Sequence, residues 1–212
     1  MVDKTEKDWN SHVSAGVIGI QWLMRGLTMH GRADLAFRIA TNRDYPSWGY
    51  MIENGATTIW ELWNGNTANP SMNSHNHVML LSDLLIWFYE HLAGIQNAPD
   101  HTGFEKIVMC PCPVAGLDYV KASYHSMHGL IKSSWNKNGD MFQWEITVPG
   151  NATAMVYVPA TDKAQVTESG VKASAAKGVK FVKMEGGYAV FEVGSGSYSF
   201  TVSPLKLKTE RL

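Results

Sequence analysis

Apolar residues recur at two different periods along this chain, and the change falls near residue 96. Over residues 12–94 the period is helical. Val13, Val17, Ile20, Met24 and Leu27 share one face of a segment that predicts a helix over 12–30, with Gly31 as its stop. Leu35, Ala36 and Ile39 share a face of a second helix over 32–42. Between 43 and 63 the Pro, Gly and aromatic content predicts an irregular segment. A third helix is expected over 74–93, with the stripe Val78, Leu81, Leu85, Phe88 and Leu92, closed by Gly94. Leu80, Leu84 and Trp87 are apolar as well, which predicts a helix buried on most sides.

From about 103 to 203 the period is two. Phe142, Trp144, Ile146 and Val148 alternate with polar residues, as do Val120, Ala122 and Tyr124, and again Tyr198, Phe200 and Val202. Asn138-Gly139 and Gly186-Gly187 read as hairpin turns. Short strands separated by turns predict a predominantly antiparallel β-sandwich, with 167–178 as its most mobile loop. The fold class is therefore α+β by segment, helices followed by an antiparallel sandwich, with domains at 1–96 and 97–212. The helical part carries more apolar surface than about 95 residues can cover.

Charge and composition narrow the function. A net charge of −1 argues against nucleic acid and anionic membranes as partners, since both need a basic field. No apolar run reaches the ~18 residues of a membrane span. The polar start MVDKTEKDWN has no signal-peptide apolar region, which leaves the compartment open, periplasmic or secreted included. Cys110 and Cys112 make no disulfide framework. No P-loop, dinucleotide fingerprint or nucleophile elbow is present, so no cofactor is expected.

The chemistry concentrates in ATTIWELWNG, where Glu61 sits between Trp60 and Trp63, and in NSHNHV, with His75 and His77. A carboxylate base, histidines that orient a polar ligand and indole walls suit a sugar, which has apolar ring faces and a hydroxyl rim. Local capping or pairing by Glu61 would explain the same residues. A zinc site built from Glu61, His75 and His77 lacks any HExxH or CxxC pattern.

The stretches HGRADLAFRIATNRDYPSWGYMIENGATTIWELWNG and MNSHNHVMLLSDLLIWFYEHLAGI resemble the end of the catalytic domain of bacterial α-L-rhamnosidases of glycoside hydrolase family 78. GFEKIVMCPCPVAGLDYVKASYHSMHGLIKSSWNKNGDMFQWEITVPGNATAMVYVPA resembles that family's C-terminal β-sandwich. The resemblance runs over about 12–203 and implies the end of an (α/α)6 barrel followed by an all-β domain. It implies hydrolysis of terminal α-L-rhamnosides with inversion. Glu61 matches the family's general base, and His77 matches a histidine that contacts the sugar. Trp48, Trp60 and Trp63 are implied to line or support the pocket, while His75 takes no role.

Inverting hydrolysis needs a second carboxyl, about 6.5–9.5 Å from the first, to protonate the leaving oxygen. Glu6, Asp8, Asp34 and Asp44 match no acid motif of the family. The resemblance thus implies a C-terminal fragment that holds the base, lacks the acid and is inactive alone. Self-association through the helical part and an L-rhamnose-containing glycoside are the expected partners. The alternatives are a non-catalytic carbohydrate-binding or accessory sandwich module, and a structural fragment whose partner chain completes the barrel.

Overall fold

The computed structural model describes residues 2–16 and 18–205, apart from the side chains of Met79, Leu81 and Ser82. Two compact units part between Trp87 and Phe88.

The first unit is built on α1 (Ile20–Met29), α2 (Ala33–Thr41), α3 (Trp48–Glu53) and α4 (Val78–Trp87). Helix α1 packs on α2 and α4, and α2 on α3. Its core joins Ile20, Met24 and Leu27 to Leu35, Ala36 and Ile39, all nearly inaccessible, so the 3.6-residue stripes meet face to face. Two aromatic pegs fix the register. The Trp87 indole N–H donates to Thr28 Oγ1 (2.8 Å), and the Trp48 indole N–H to the Leu80 carbonyl (3.3 Å).

Three expectations change here. The first helix starts at Ile20, not at 12; Val13 is buried on a non-helical approach, and Val17 lies outside the described residues. Gly16 and Gly19 explain the late start, because glycine costs about 1 kcal/mol in a helix interior. The irregular segment contains α3, a six-residue helix capped by Ser47, whose hydroxyl accepts the Tyr50 N–H at 2.9 Å. The third helix, Val78–Trp87, is shorter than 74–93 and buries a different face from most of the expected stripe, of which Leu92 is buried in the turn that follows. Leu80, Leu84 and Trp87 are 0%, 7% and 0% exposed, whereas Val78 and Leu85 are 61% and 43% exposed. Residues 80, 84 and 87 also follow helical spacing, so two apolar faces compete, and the Trp87–Thr28 bond accompanies the one that is buried. The side chain of Leu81 lies outside the described residues.

The second unit opens with a π-helical turn, Phe88–Leu92, and continues, among the described residues, as eleven strands. They are β1 (Ile95–Asn97), β2 (Lys106–Met109), β3 (Tyr119–Ser126), β4 (Gly129–Asn138), β5 (Met141–Val148), β6 (Thr153–Pro159), β7 (Val166–Glu168), β8 (Val171–Lys172), β9 (Val179–Glu185), β10 (Tyr188–Val193) and β11 (Gly196–Val202). One sheet runs β1-β2-β6-β10-β9, the other β3-β4-β5-β11-β7-β8. Phe191 of β10 stacks on Phe200 of β11 at 5.9 Å, which joins the two inner faces of the sandwich. The alternation in β5 holds throughout: Phe142, Trp144, Ile146 and Val148 are all buried.

The sheet begins at Ile95, ahead of 103, because β1 pairs with β2 (Ile95 opposite Met109). One ladder, β2 with β6, is parallel, against the otherwise antiparallel pattern. The Gly186-Gly187 turn is as expected, with both residues at positive φ. The other hairpin turns at Gly139-Asp140, one residue later than Asn138-Gly139, since Asn138 still pairs with Met141. The supposed mobile loop at 167–178 is instead the small β7–β8 hairpin and a 3-10 turn, anchored by the fully buried Ala173.

Polar groups inside this core are paired. Ser133 Oγ donates to the Ala93 carbonyl (2.6 Å) and accepts the Trp144 indole N–H (2.9 Å), while the Trp135 indole N–H reaches the Leu92 carbonyl (2.8 Å). Gly94 is required between them. Its φ is +76°, and an added Cβ would lie 2.2 Å from the Pro111 nitrogen.

Candidate active site

Two extended segments of the first unit, 58–62 and 73–77, lie side by side between α3 and α4. The His77 N–H donates to the Ile59 carbonyl (2.7 Å) and the Glu61 N–H to the Ser74 carbonyl (2.8 Å). The Leu62 N–H donates to Asn73 Oδ1 (3.1 Å), and the Thr58 hydroxyl to the His75 carbonyl. The intervening loop is tied by Asn69, which accepts from Ser71 N–H at 3.0 Å at the start of a 3-10 turn, Pro70–Met72. Gly65 lets that loop fold onto Trp60, since a Cβ there would stand 2.6 Å from the indole Cγ.

These rungs bring together residues sixteen positions apart. His77 Nδ1 lies 4.0 Å from Glu61 Oε2. That oxygen also accepts the Ser74 N–H at 3.0 Å. The Glu61 side chain is 40% exposed and the His77 side chain 20%, so water reaches the carboxylate while the imidazole is largely enclosed. His77 Nε2 and Asn73 Nδ2 are shielded from solvent without a protein hydrogen bond among the described residues. Both are polar atoms that burial penalises until a partner is supplied.

The three tryptophans lie beneath this strap. Trp48 and Trp60 are 4% and 5% exposed and Trp63 is half-buried. Trp48 and Trp63 meet edge to face at 5.3 Å, and the Trp63 indole N–H is bound to the Ala15 carbonyl (3.1 Å). Trp60 lies 5.9 Å from the His75 ring. Their indoles therefore hold the strap's underside and tie it to the helices. Beside it opens a pocket of about 320 Å³, floored by Met51, Ile52 and Val78 and edged by Thr57, Thr58 and Asn76. Neither Glu61 nor His77 lines that pocket. Asn73 and Ser74 take part as well, and neither is marked by residue type or spacing in the sequence.

The other carboxyls of this unit are differently placed. Arg32 hydrogen-bonds Glu6 (2.6 Å) and both oxygens of Asp34 (3.0 Å each), and Arg38 adds a bond to Glu6 (3.0 Å). The Arg32 hydrogen bond holds Glu6 below the usual carboxylate range. Burial pushes Asp34 up, but the bonds and charge of Arg32 outweigh it and the net shift is downward. Groups held ionised in this way are poor proton donors. Asp83 on α4 is pushed upward by burial, opposed by the charge of Arg25 on α1. Among the described residues no three His, Cys, Asp or Glu side chains gather into a metal-binding group.

Residues 1–92 match the family described as the bacterial alpha-L-rhamnosidase 6 hairpin glycosidase domain, and residues 94–173 match the bacterial alpha-L-rhamnosidase C-terminal domain. This chain belongs to the bacterial α-L-rhamnosidase family. It corresponds to the end of the six-hairpin domain followed by the C-terminal domain. It is 39% identical over 203 residues to an α-L-rhamnosidase of Streptomyces avermitilis, covering 92% of this chain and 18% of that protein. An α-L-rhamnosidase of Formosa agariphila is 32% identical over 196 residues, covering 90% of this chain and 21% of its own length. In structure, the Streptomyces avermitilis α-L-rhamnosidase complexed with L-rhamnose superposes with a TM-score of 0.83 at 35% identity, over 93% of this chain and 19% of that one. The enzyme from Dictyoglumus thermophilum gives 0.84 at 34% identity, over 95% and 22%. This chain thus spans about a fifth of the length of the relatives it matches.

Proposed function

We propose that this chain is the C-terminal portion of an inverting α-L-rhamnosidase, that Glu61 is the general base and that His77 contacts the sugar. The observation that carries this reading is the meeting of the Glu61 carboxylate and the His77 ring at 4.0 Å on a strap open to water. A solvent-reached carboxylate can take a proton from the water that attacks the anomeric carbon. An imidazole beside it can hydrogen-bond a sugar hydroxyl, and His77 Nε2, shielded from solvent, has no protein hydrogen bond among the described residues. Trp48, Trp60 and Trp63 support the site from below. The proton for the leaving oxygen comes from a carboxyl outside this chain, since Glu6 and Asp34 are held ionised by Arg32.

The test is a chimera. This chain replaces the matching C-terminal fifth of the Streptomyces avermitilis enzyme, and release of rhamnose from an aryl rhamnoside is measured for the chimera and for the chain alone. The chimera is expected to turn over and the chain alone to release nothing. Release by the chain alone would overturn the division of base and acid, and would make Asp83 the candidate acid.

In this reading the rest of the barrel covers apolar surface that the chain leaves open. Ile18, Trp22, Met29, Val78 and Leu85 are exposed large apolar residues of the helical unit. Soluble monomers rarely expose contiguous apolar patches beyond a few hundred Å². Covering such a patch on each of two copies gives on the order of 10 kcal/mol at about 25 cal/mol per Å². Association itself costs roughly 4–15 kcal/mol. The isolated chain is therefore expected to self-associate weakly, with a mass that rises with concentration in light scattering. A constant monomer mass at millimolar concentration would sink this expectation.

A further inference from the structure

We propose that Ser74 is the positioning residue that sets Glu61 and His77 against each other, an inference that rests on the reading of Glu61 as the base. Every polar group of Ser74 is engaged in the strap. Its carbonyl accepts the Glu61 N–H (2.8 Å), its N–H donates to Glu61 Oε2 (3.0 Å), and its Oγ accepts the Asn76 N–H (3.2 Å). The first bond fixes the backbone of the base and the second fixes its carboxylate. The third shapes the turn that returns His77, whose own N–H closes on Ile59 at 2.7 Å. One serine thus ties down the two groups that the reaction needs together.

The arrangement also divides the labour between the two carboxylate oxygens. Oε2 is taken by the Ser74 N–H and faces His77 Nδ1 at 4.0 Å. Oε1 has no protein hydrogen bond among the described residues, and it is the oxygen left to accept the water's proton. With Oε2 tethered, the terminal torsion of Glu61 cannot swing and Oε1 keeps its direction. A general base works only within hydrogen-bond reach of the proton it removes, and a misplacement of about 1 Å can cost ~100-fold.

The backbone donor can be deleted by proline alone. Asn73 has φ −140° and ψ 122°, the extended conformation that a residue before proline adopts, so the preceding residue is compatible with Ser74→Pro, which removes the N–H and the Oγ together. Ser74→Ala keeps the N–H and removes Oγ, and Ser74→Thr keeps both. In the chimera, Ser74→Pro is expected to lower kcat by roughly 10-fold to 100-fold with KM held. Ser74→Ala is expected to lower kcat less, and Ser74→Thr to restore it.

Azide separates aim from collapse. It is already an anion and needs no base. It attacks the anomeric carbon as the bond to the leaving oxygen breaks, and the acid supplied by the rest of the chimera gives its proton to that oxygen. Azide is therefore expected to raise the turnover of Ser74→Pro, as it would that of Glu61→Gln, by forming the rhamnosyl azide. An inactive parent chimera, or an active Glu61→Gln, would remove the underlying reading and this inference with it. A silent Glu61→Gln beside a fully active Ser74→Pro, or Ser74→Ala and Ser74→Thr alike in kcat, would overturn the inference alone. So would a Ser74→Pro that azide leaves inactive.

Discussion

Glu61→Gln in the chimera is expected to lower turnover by about 10²–10⁴-fold, the usual loss when a general base is removed. The substitution is nearly isosteric. The amide oxygen can still accept the Ser74 N–H that now reaches Oε2, so the strap keeps its two backbone rungs. What disappears is the ability to take a proton near neutral pH. KM is expected to change little, because the loss falls on the transition state and not on sugar binding. Circular dichroism matching the parent, together with the collapse in kcat, is the predicted pair of results. Turnover near the parent's would mean that another group activates the water.

The second large effect belongs to the sandwich. Trp144→Ala is expected to destabilise that unit by roughly 3–5 kcal/mol, a large share of the about 5–15 kcal/mol that holds a typical domain together. Trp144 is fully buried, it packs against Phe142 and Phe200, and its indole N–H is donated to Ser133. Removing it opens a cavity and strips Ser133 of one partner. Trp144→Phe keeps most of the packing and loses only the donor, so a smaller cost, about 1 kcal/mol, is expected. Urea unfolding followed by far-ultraviolet circular dichroism measures both. An alanine variant with the parent's midpoint would show that this core closes over the loss.

Trp144 belongs to a strand that could be read from its alternation, and the reason is physical. A sandwich strand has one buried face, so β5 writes its environment directly into its sequence. Helix α4 could not be read that way. It carries apolar residues on two faces, and the face left open by the chain is the one with the more regular stripe. Helix α3 was hidden because it is only six residues long and sits among Pro46, Gly49 and Gly55. The parallel pairing of β2 with β6 was invisible for a different reason: strand direction is settled by partners distant in sequence and leaves no local mark. In the site, residue chemistry marks Glu61, His75 and His77 together, and the resemblance picks out Glu61 and His77, since a separation of sixteen residues has no periodicity to betray it. Ser74 could not have been found, because two of its three contacts use backbone groups that nearly every residue possesses.

The rungs that clamp 58–62 to 73–77 hold both ends of the loop between them. Length and surface changes around Asn66–Ser71 therefore stop at the rungs and do not reach the carboxylate. A strap built this way has one stretch that can change in length and sequence while the Glu61–His77 pair keeps its geometry.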